Sequence, residues 1–374
     1  MQFIDLHKQY DNIEEKVNNR LKNIFTHKRF IGGEEVAELE HMLAEYVGVK
    51  HVVACASGTD ALTIPMMAIG LEKNDAVFVP SFSFFASAES ITLAGGTPVF
   101  VDSTKETFNI DPTSLENAII DTIEKGELTP KGIIPVDLFG LPANFPEIRK
   151  IAEKYNLFIL EDAAQGFGGT INGKRACSFG DVAGTSFFPA KPLGCYGDGG
   201  AIFTNSDDLY EKIKSIHVHG QGKDKYDNVR IGLNSRLDTI QAAVLIEKLN
   251  IFDEELKKRN YVANYYSEHL ENIVDTPTVP DRYSSSWAQY TLKLSSSNIR
   301  EKMMKRLAEN NIPSMIYYPI PIHKSTAYSQ KNGDVELEVC EELSKTVISL
   351  PMHPYLSNSE LDKICKTISD LCSE

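Results

Sequence analysis

A lysine and an acidic segment near the middle of the chain have residue types that could act on one ligand. Lys191 lies within FFPAKPLG at 187–194, and Asp162 lies within EDAAQ at 161–165. A lysine amine can form a Schiff base with an aldehyde, and an aspartate can hold a protonated pyridine nitrogen. Pyridoxal 5′-phosphate (PLP) needs both groups, so this pair predicts a PLP site.

Asp162 follows the apolar run LFIL at 157–160, which predicts a strand. Ligands of parallel α/β sheets bind beyond the carboxyl ends of the strands, so the carboxylate would face a crevice. An ionised aspartate there would keep a pyridine ring protonated and electron-withdrawing. A helix N-cap is the alternative function of an aspartate after a strand. The neighbouring alanines, Ala164 among them, leave room for a flat ring, and Gln165 offers a donor to the ring oxygen.

The phosphate of such a cofactor would need its own site. Gly58 and Thr59 follow a predicted strand and open a predicted helix, so backbone N–H groups and the helix dipole would face an anion. Ser186 could add a hydroxyl. Ordinary helix capping explains a Gly-Thr pair equally well on its own.

Lys191 has neighbours that set it apart from a solvated surface lysine. It follows an apolar strand and precedes Pro192 and the glycine-rich segment 194–200. Glycines at a strand end bring the backbone close to a ligand. Burial near cationic groups would lower the pKa of the amine. Phe84 or Phe85 could stack on the cofactor ring, although a core position is the commoner role of phenylalanine.

The elements that would position these residues alternate between strands and helices over the first 205 residues. Apolar runs predict strands buried on both faces, at 51–55, 77–80, 98–102, 132–137, 157–160, 184–188 and 200–204. Helix-period segments lie between them, at 59–70, 84–94, 113–125 and 145–155. Thr113 and Glu116 form a capping-box pattern after Pro112. The alternation predicts an α/β fold with a mainly parallel sheet.

The pattern changes in the second half of the chain. A long amphipathic helix is predicted at 239–270, then a strand at 287–293 and helices near 298–310 and 358–371, the last with a capping pattern from Ser357 to Glu360. We therefore predict three parts: a helical arm at 1–30, a large domain at 31–249 and a smaller α+β domain at 250–374.

Bulk composition narrows the class of protein. A formal net charge of −14 argues against a nucleic-acid or anionic-membrane surface. No apolar run approaches the roughly 18 residues needed to cross a bilayer, and the first residues lack a signal-peptide pattern. The six cysteines lack C-x-x-C spacing, which fits reduced thiols in a cytoplasmic enzyme. His217 and His219 lack supporting ligands, so no metal site is expected.

Taken in order, these motifs resemble those of the DegT–StrS type of sugar aminotransferases, a branch of fold-type I PLP enzymes. The resemblance covers nearly the whole chain, and its remaining motifs are FIDL at 3–6, FIGG at 30–33 and NSRLD at 234–238. It implies an aspartate aminotransferase-like fold, with a mainly parallel seven-stranded sheet in the large domain and a smaller C-terminal α+β domain.

The family resemblance also implies roles for the residues at the matching positions. Lys191 would form the Schiff base with PLP, Asp162 would bind the pyridine nitrogen and Gln165 the ring oxygen. The amino group of L-glutamate would pass to the cofactor and then to a keto sugar, with Lys191 moving the proton.

The phosphate group would be held, by the same resemblance, from two subunits. Ser186 and the Gly58-Thr59 turn would bind it within one subunit. Asn234 would reach it from the neighbouring subunit, so the family's homodimer would share its active sites.

Within this family, the chain is most similar to bacterial enzymes that act at C3 of UDP-linked 2-acetamido-2-deoxy-3-keto sugars. The segments 187–204, 318–321 and 349–355 carry that likeness. Members act on the 3-keto glucuronate or on the 3-keto N-acetylglucosamine used for diamino-sugar lipid A. The resemblance thus implies a role in cell-surface glycan or lipopolysaccharide synthesis.

Three positions depart from the uronate-type pattern. Phe30 replaces a tyrosine, Ala190 a serine and Tyr317 a histidine, and each change removes or relocates a polar group that could meet the sugar. The residues expected on the substrate side are therefore Lys28, Phe30, Ala190, Arg236, Tyr317 and Tyr318. A structural ion pair is the alternative role of Arg236.

Other readings remain open on the sequence. The sugar could be a 4-keto UDP-sugar or a dTDP-linked 3-keto-6-deoxy sugar, and a non-catalytic regulator could keep the same fold. A PLP-dependent sugar dehydratase would carry histidine in place of Lys191. A nicotinamide dehydrogenase would need G-x-G-x-x-G after the first strand, where this chain has ASGTDA at 56–61.

Overall fold

The structure is a computed structural model that describes residues 1–224, 226–329 and 335–372. Its strands are β1 (His51–Cys55), β2 (Asp75–Pro80), β3 (Thr97–Val101), β4 (Thr129–Ile133), β5 (Phe158–Asp162), β6 (Thr170–Ile171), β7 (Lys174–Arg175), β8 (Val182–Ser186), β9 (Gly200–Thr204), β10 (Tyr283–Ser284), β11 (Tyr290–Lys293) and β12 (Val347–Leu350). Its helices are α1 (Leu6–His27), α2 (Glu34–Val47), α3 (Gly58–Ile69), α4 (Ala86–Leu93), α5 (Pro112–Lys125), α6 (Phe145–Tyr155), α7 (Asp207–Ile216), α8 (Thr239–Leu270), α9 (Ser297–Glu309), α10 (Thr326–Ser329), α11 (Glu338–Thr346) and α12 (Asn358–Cys372). Within these described residues, none of the helices combines the length and apolarity that a membrane span requires.

A seven-stranded sheet forms the centre of the molecule, in the order β1-β9-β8-β5-β4-β2-β3. Four of its six strand pairings are parallel: β2 with β3 and β4, β4 with β5, and β5 with β8. Strand β9 runs antiparallel to both of its neighbours, β1 and β8. The predicted α/β class with a mainly parallel seven-stranded sheet is confirmed.

Both faces of this sheet are buried, as the unbroken apolar runs predicted. Successive strand residues point to opposite faces. In β1, Val53 and Cys55 pack into the core beneath α3, α4 and α7, whereas Val52 and Ala54 pack beneath α2 and α8. Helices α5 and α6 cover the far end of that second face.

The ends of several elements differ from the sequence-based expectation. Helix α5 begins at Pro112, and Asp111 caps it by accepting from the backbone N–H groups of Thr113 and Ser114. The expected capping box of Thr113 and Glu116 is therefore wrong, because proline at the first helical position shifts the cap upstream. The second predicted box is confirmed: Glu360 accepts from the Ser357 N–H, and the Ser357 hydroxyl accepts from the Glu360 N–H.

Helix α8 connects the sheet to the C-terminal part of the chain. Its residues Phe252 and Leu256 pack against the sheet side, whereas Val262 and Tyr266 pack with β11, β12, α9 and α12. The helix thus runs without interruption through position 250, where the predicted domain boundary lies, and that boundary stays a prediction.

The N-terminal helix α1 packs along α8. Ile13 and Val17 contact Val244 in a small apolar cluster, and Gln9 donates to the Glu255 carboxylate at 2.9 Å. Residues 6–27 therefore form a helix packed along α8, and the division of the chain into an arm and two domains stays a prediction.

Candidate active site

A cavity of about 450 Å³ opens at the carboxyl edge of the sheet. The loops that follow β1, β2, β5 and β8 meet there, because parallel strands end at the same edge. The predicted residues that line it are Gly58, Thr59, Phe84, Asp162, Ala164, Gln165, Ser186, Ala190, Lys191, Tyr317 and Tyr318. A larger cavity of about 730 Å³, around α9 and Lys293, is lined by none of the predicted residues. The smaller cavity is therefore the candidate active site.

Asp162 ends β5 and is 3% exposed. The Ser87 hydroxyl donates to one carboxylate oxygen at 2.7 Å, and the Ala164 N–H donates to the other at 3.1 Å. Burial raises the pKa of this carboxyl, while those two donors and the Lys191 amine oppose the rise. No helix follows within residues 163–169, all of which the structure describes, so the alternative of a helix N-cap is wrong.

Lys191 lies in the turn after β8, where its backbone N–H donates to the Phe188 carbonyl at 2.9 Å. Burial lowers the pKa of its amine, and the Asp162 carboxylate opposes that change. The Lys191 side chain is half-buried, and the charge that acts on its amine is an anion, not the cationic group we expected. A lowered pKa favours the neutral amine that a nucleophile or general base requires.

The N-terminus of α3 provides a site for an anionic group. The Ser57 hydroxyl caps the helix by accepting from the Asp60 N–H at 3.1 Å, so the capping function is present as well. A Cβ atom on Gly58 would lie 2.6 Å from the Ser186 Cβ. The missing side chain lets the backbone of α3 approach Ser186, and their polar groups can then hold one phosphate.

The Gln165 amide is fixed in orientation by two protein contacts. Its Oε1 accepts from the Phe139 N–H at 2.6 Å, and its Nε2 donates to the Tyr318 hydroxyl at 2.9 Å. A primary amide has two N–H bonds, so one donor is not used by Tyr318. Burial raises the pKa of the Tyr318 phenol, which keeps that hydroxyl protonated at neutral pH.

The two candidate phenylalanines have different environments. Phe84 is 56% exposed, lines the cavity, and its ring centroid lies 6.1 Å from that of Tyr318. Phe85 is half-buried and packs against Tyr328 at 5.5 Å. Phe84 is therefore the phenylalanine that could contact the cofactor ring, while Phe85 packs toward the hydrophobic core.

Four predicted residues do not line this cavity. Lys28 and Phe30 are exposed just after α1, and Asn234 is exposed before α8. Arg236 donates to the Asn234 Oδ1 at 2.6 Å, so this contact is a bond to a neutral amide and not the ion pair that was its alternative role. The substrate or phosphate contacts of these four residues stay predictions.

Several cavity residues were not anticipated from the sequence. Ser87 binds Asp162 directly, and the serine-rich segment SFSFFAS at 81–87, just after a predicted strand, was an available signal. Gln289 also lines the cavity, but it is far away in the chain and no local pattern marks it. Asp198 and Ser83 are further polar residues of the lining that no sequence pattern indicated.

The residues that line the cavity fit PLP. Its volume lies within the range of about 300–1,000 Å³ that is usual for small-molecule sites. A buried carboxylate, a lysine of lowered pKa and a helix N-terminus closed by a serine hydroxyl provide partners for the ring nitrogen, the aldehyde and the phosphate. In the described residues, no three His, Cys, Asp or Glu side chains form a group suited to a metal ion.

We expect Gly58→Ala to weaken cofactor binding about tenfold, which corresponds to a loss near 1.4 kcal/mol. The added methyl group would displace Ser186 from α3 and so widen the proposed phosphate site. Titration of cofactor-free protein with PLP, followed by absorbance, measures the change. Gly126→Ala is the control, since its Cβ meets nothing within 4 Å, although its positive φ will cost some stability. Equal affinities for Gly58→Ala and the wild type would contradict a phosphate at this turn.

Known proteins similar to this chain along its length include aminotransferases. The family described as DegT/DnrJ/EryC1/StrS aminotransferase matches residues 11–369. A UDP-2-acetamido-2-deoxy-3-oxo-D-glucuronate aminotransferase from Pseudomonas aeruginosa is 43% identical, covering 99% of this chain and all of that protein.

Two further relatives differ in the sugar that their names give. A dTDP-3-amino-3,6-dideoxy-alpha-D-galactopyranose transaminase from Aneurinibacillus thermoaerophilus is 37% identical, over 98% of each chain. A UDP-N-acetyl-3-dehydro-alpha-D-glucosamine 3-aminotransferase from Acidithiobacillus ferrooxidans is 36% identical, over 98% of this chain and 96% of that one.

Solved structures agree with the fold. A DegT/DnrJ/EryC1/StrS aminotransferase from Brucella abortus superposes with a TM-score of 0.97 at 49% identity, over the whole of both chains. NtdA from Bacillus subtilis, solved with bound PMP, gives a TM-score of 0.90 at 29% identity, over this whole chain and 83% of that one.

Proposed function

The chain belongs to the DegT/DnrJ/EryC1/StrS aminotransferase family and is a PLP-dependent sugar aminotransferase, and on that premise we propose that it transfers the amino group of L-glutamate to C3 of a UDP-linked 2-acetamido-2-deoxy-3-keto-hexose. Two relatives named for UDP-linked 3-oxo or 3-dehydro sugars, at 43% and 36% identity along almost the whole chain, support the UDP group and the C3 position.

The composition of the cavity wall supports a neutral hexose over the uronate. Among its lining residues, all within the described part of the chain, Lys191 is the single cationic side chain, and the cofactor requires it. A uronate carboxylate is best recognised by an arginine or lysine. At two of the positions that depart from the uronate-type pattern, Ala190 and Tyr317, the side chains do line the cavity. We base the choice of sugar on this observation: the wall that one subunit contributes has no second cation to bind a uronate carboxylate.

The residues of the cavity have distinct tasks in this reaction. PLP, when bound, takes up electrons from the carbon that loses its proton and carries the amino group between substrates. The Asp162 carboxylate, held by Ser87 and Ala164, would face the ring nitrogen, and Gln165 would donate to the ring oxygen. The Lys191 amine, with its lowered pKa, would accept and return the proton. Phe84 and Tyr318 would exclude water from one side of the cavity.

A homodimer with shared sites belongs to the same proposal. Large apolar side chains are exposed near the residues that do not line the cavity, among them Phe25 at 58%, Phe30 at 42% and Ile231 at 85%. Covering them with a second copy would remove apolar surface from water. In that arrangement Phe30 and Asn234 would complete the neighbouring subunit's site, and Lys28 would bind the negatively charged diphosphate of the nucleotide, away from the sugar. We also place the reaction in the cytoplasm, as part of cell-surface glycan or lipopolysaccharide synthesis.

Steady-state kinetics with purified keto sugars tests the choice of substrate. We expect kcat/KM for UDP-3-keto-N-acetylglucosamine to exceed that for its 3-keto uronate by at least about tenfold, since an unpaired carboxylate would be desolvated without a partner. The double substitution Ala190→Ser and Tyr317→His, which restores the uronate-type residues, should narrow the ratio. A higher kcat/KM for the uronate, for a 4-keto UDP-sugar or for a dTDP-linked 3-keto sugar than for UDP-3-keto-N-acetylglucosamine would contradict the proposed substrate.

A further inference from the structure

Three acidic side chains are buried side by side beneath the cavity. Asp137 and Glu161 are fully buried and Asp162 is 3% exposed. Asp162 lines the cavity, whereas Asp137 and Glu161 lie behind it. The Asp137 N–H donates to the Asp162 carbonyl at 3.0 Å, which holds the end of β4 and its following turn against the end of β5. Three full negative charges in this space would be costly, because a buried charge needs a partner.

Glu161 has the partners that an ionised carboxylate needs. One oxygen accepts from the Cys177 N–H at 2.5 Å, and the other accepts from the Phe179 and Gly180 N–H groups at 2.7 and 3.1 Å. Three backbone donors on one carboxylate stabilise its charged form.

Asp137 has partners of a different kind. Its Oδ1 accepts from the Ala143 N–H at 3.0 Å, but its buried Oδ2 has no hydrogen-bond partner among the described groups. The side chain lies within hydrogen-bonding reach of the Glu161 carboxyl. The backbone of Gly166 packs against the same carboxyl group, since a Cβ added to Gly166 would lie 2.3 Å from Oδ2. A buried carboxylate oxygen without a hydrogen-bond partner, in a side chain next to a second carboxylate, is stabilised most simply by a proton of its own.

We propose that Asp137 is protonated and donates from Oδ2 to Glu161, so that the two carboxyl groups carry one negative charge between them and Asp162 stays ionised toward the cavity. Asp137 is in this view a positioning residue: it acts on the charge of Asp162 and touches neither cofactor nor substrate. The proposal concerns the cofactor site only and is independent of which sugar the enzyme uses.

The charged and titratable surroundings agree with this arrangement. The groups that face the pair are the Asp162 carboxyl, the Cys177 thiol and the Tyr283 phenol, with Lys191 beyond Asp162. Burial, and then repulsion from Glu161, raise the pKa of Asp137 well above its ordinary value. Burial raises the pKa of Glu161 to about 7, against the effect of its backbone donors.

The shared proton makes the stability of the protein depend on pH. A carboxyl with a raised pKa in the folded state binds a proton that the unfolded chain has lost. The contribution of such a group to the free energy of unfolding is complete below its ordinary pKa, near 4. It is lost as the pH rises toward the pKa of the group in the folded protein. One such proton increases the unfolding constant about tenfold per pH unit between pH 5 and 7.

Asp137→Asn tests the proposal on the full-length enzyme saturated with PLP. The new amide can still donate to Glu161 and accept from the Ala143 N–H, but it cannot titrate. In urea unfolding between pH 5 and 7, we expect the dependence of the unfolding constant on pH to become about tenfold weaker per pH unit than in the wild type. Asp121→Asn, the same change on an exposed position of α5, should keep the wild-type dependence. Equal pH dependence in Asp137→Asn and the wild type would overturn the shared proton.

The absorbance of the bound cofactor distinguishes a pair that shares one proton from a pair in which both carboxyl groups are ionised. If the pair holds one proton, Asp137→Asn leaves the charge behind Asp162 unchanged, and the pH at which the cofactor absorbance changes should stay that of the wild type. If both carboxyl groups were ionised, the substitution would remove a negative charge and move that transition to lower pH, which refutes the proposal. The infrared difference spectrum of wild type minus Asp137→Asn near pH 6.5 should also show the band of one protonated carboxylic acid. A difference spectrum of wild type minus Asp137→Asn that lacks this band would equally count against Asp137 as the proton's site.

Discussion

Lys191→Ala is expected to lower kcat for transamination by about 10⁴-fold or more, because the variant loses both the amine that bonds the cofactor and the base that moves the proton. Lys191 is the lysine that lines the cavity, next to the buried Asp162 carboxylate. The same variant should still bind PLP through the contacts around Gly58 and Ser186, with a lower affinity. This one substitution should therefore abolish most of the activity while PLP binding is weakened but retained.

Borohydride reduction followed by mass spectrometry gives the direct measurement for this variant. The wild type should acquire the mass of one reduced cofactor per chain, and Lys191→Ala should not. Lys248→Met provides a matched control, since Lys248 is a second buried lysine, 1% exposed, whose amine lies over the Tyr196 ring at 4.2 Å and outside the cavity. A Lys191→Ala protein that still forms the covalent adduct, or that keeps a hundredth of wild-type kcat, would exclude Lys191 from this role.

The site could be predicted largely because its residues follow strands. Asp162, Ser186 and Gly58 each come at or directly after the end of an apolar run, and parallel strands bring such ends to one edge of the sheet. Residue type and position in the chain were then sufficient to place them together. The strands themselves were readable because burial on both faces leaves unbroken apolar runs.

Contacts between residues far apart in the chain could not be predicted from apolar runs and strand ends. Gln289 reaches the cavity from just before β11, and its position depends on how the C-terminal part packs against α8. The pairing of Asp137 with Glu161 depends on the turn after β4 and on the close approach of Gly166. Periodicity carries no information on such tertiary contacts, so the shared-proton pair emerges only from the folded structure.

Helix boundaries show a similar limit on a smaller scale. A capping-box pattern at Thr113 and Glu116 competes with Asp111 and Pro112, and the proline prevails because its fixed φ suits the first helical position. At Ser357 and Glu360 no such competitor is present, and the expected cap forms. Local patterns therefore predict a helix more reliably than they predict its first residue.

Asp162→Asn is expected to lower kcat by about 10²–10³-fold, comparable to the loss of a single preorganised electrostatic contact in other enzymes. A neutral amide can keep the hydrogen bonds of the carboxylate with Ser87 and the Ala164 N–H in part, so the cavity should retain its shape. What disappears is the negative charge that would keep the pyridine nitrogen protonated. The effect should therefore fall on kcat more than on KM.

The charge of Asp162 also acts on Lys191, which gives the variant a second signature. The carboxylate raises the pKa of the Lys191 amine against the effect of burial, so its removal should lower that pKa further. The alkylation rate of this amine in cofactor-free protein should then reach its plateau at a lower pH in Asp162→Asn than in the wild type. Glu40→Gln is the control: this carboxyl, with a pKa raised to about 6 by burial, binds the Ala54 N–H and does not line the cavity. A kcat for Asp162→Asn within about twofold of the wild type, with an unchanged Lys191 profile, would show that the ring nitrogen is not paired with this residue.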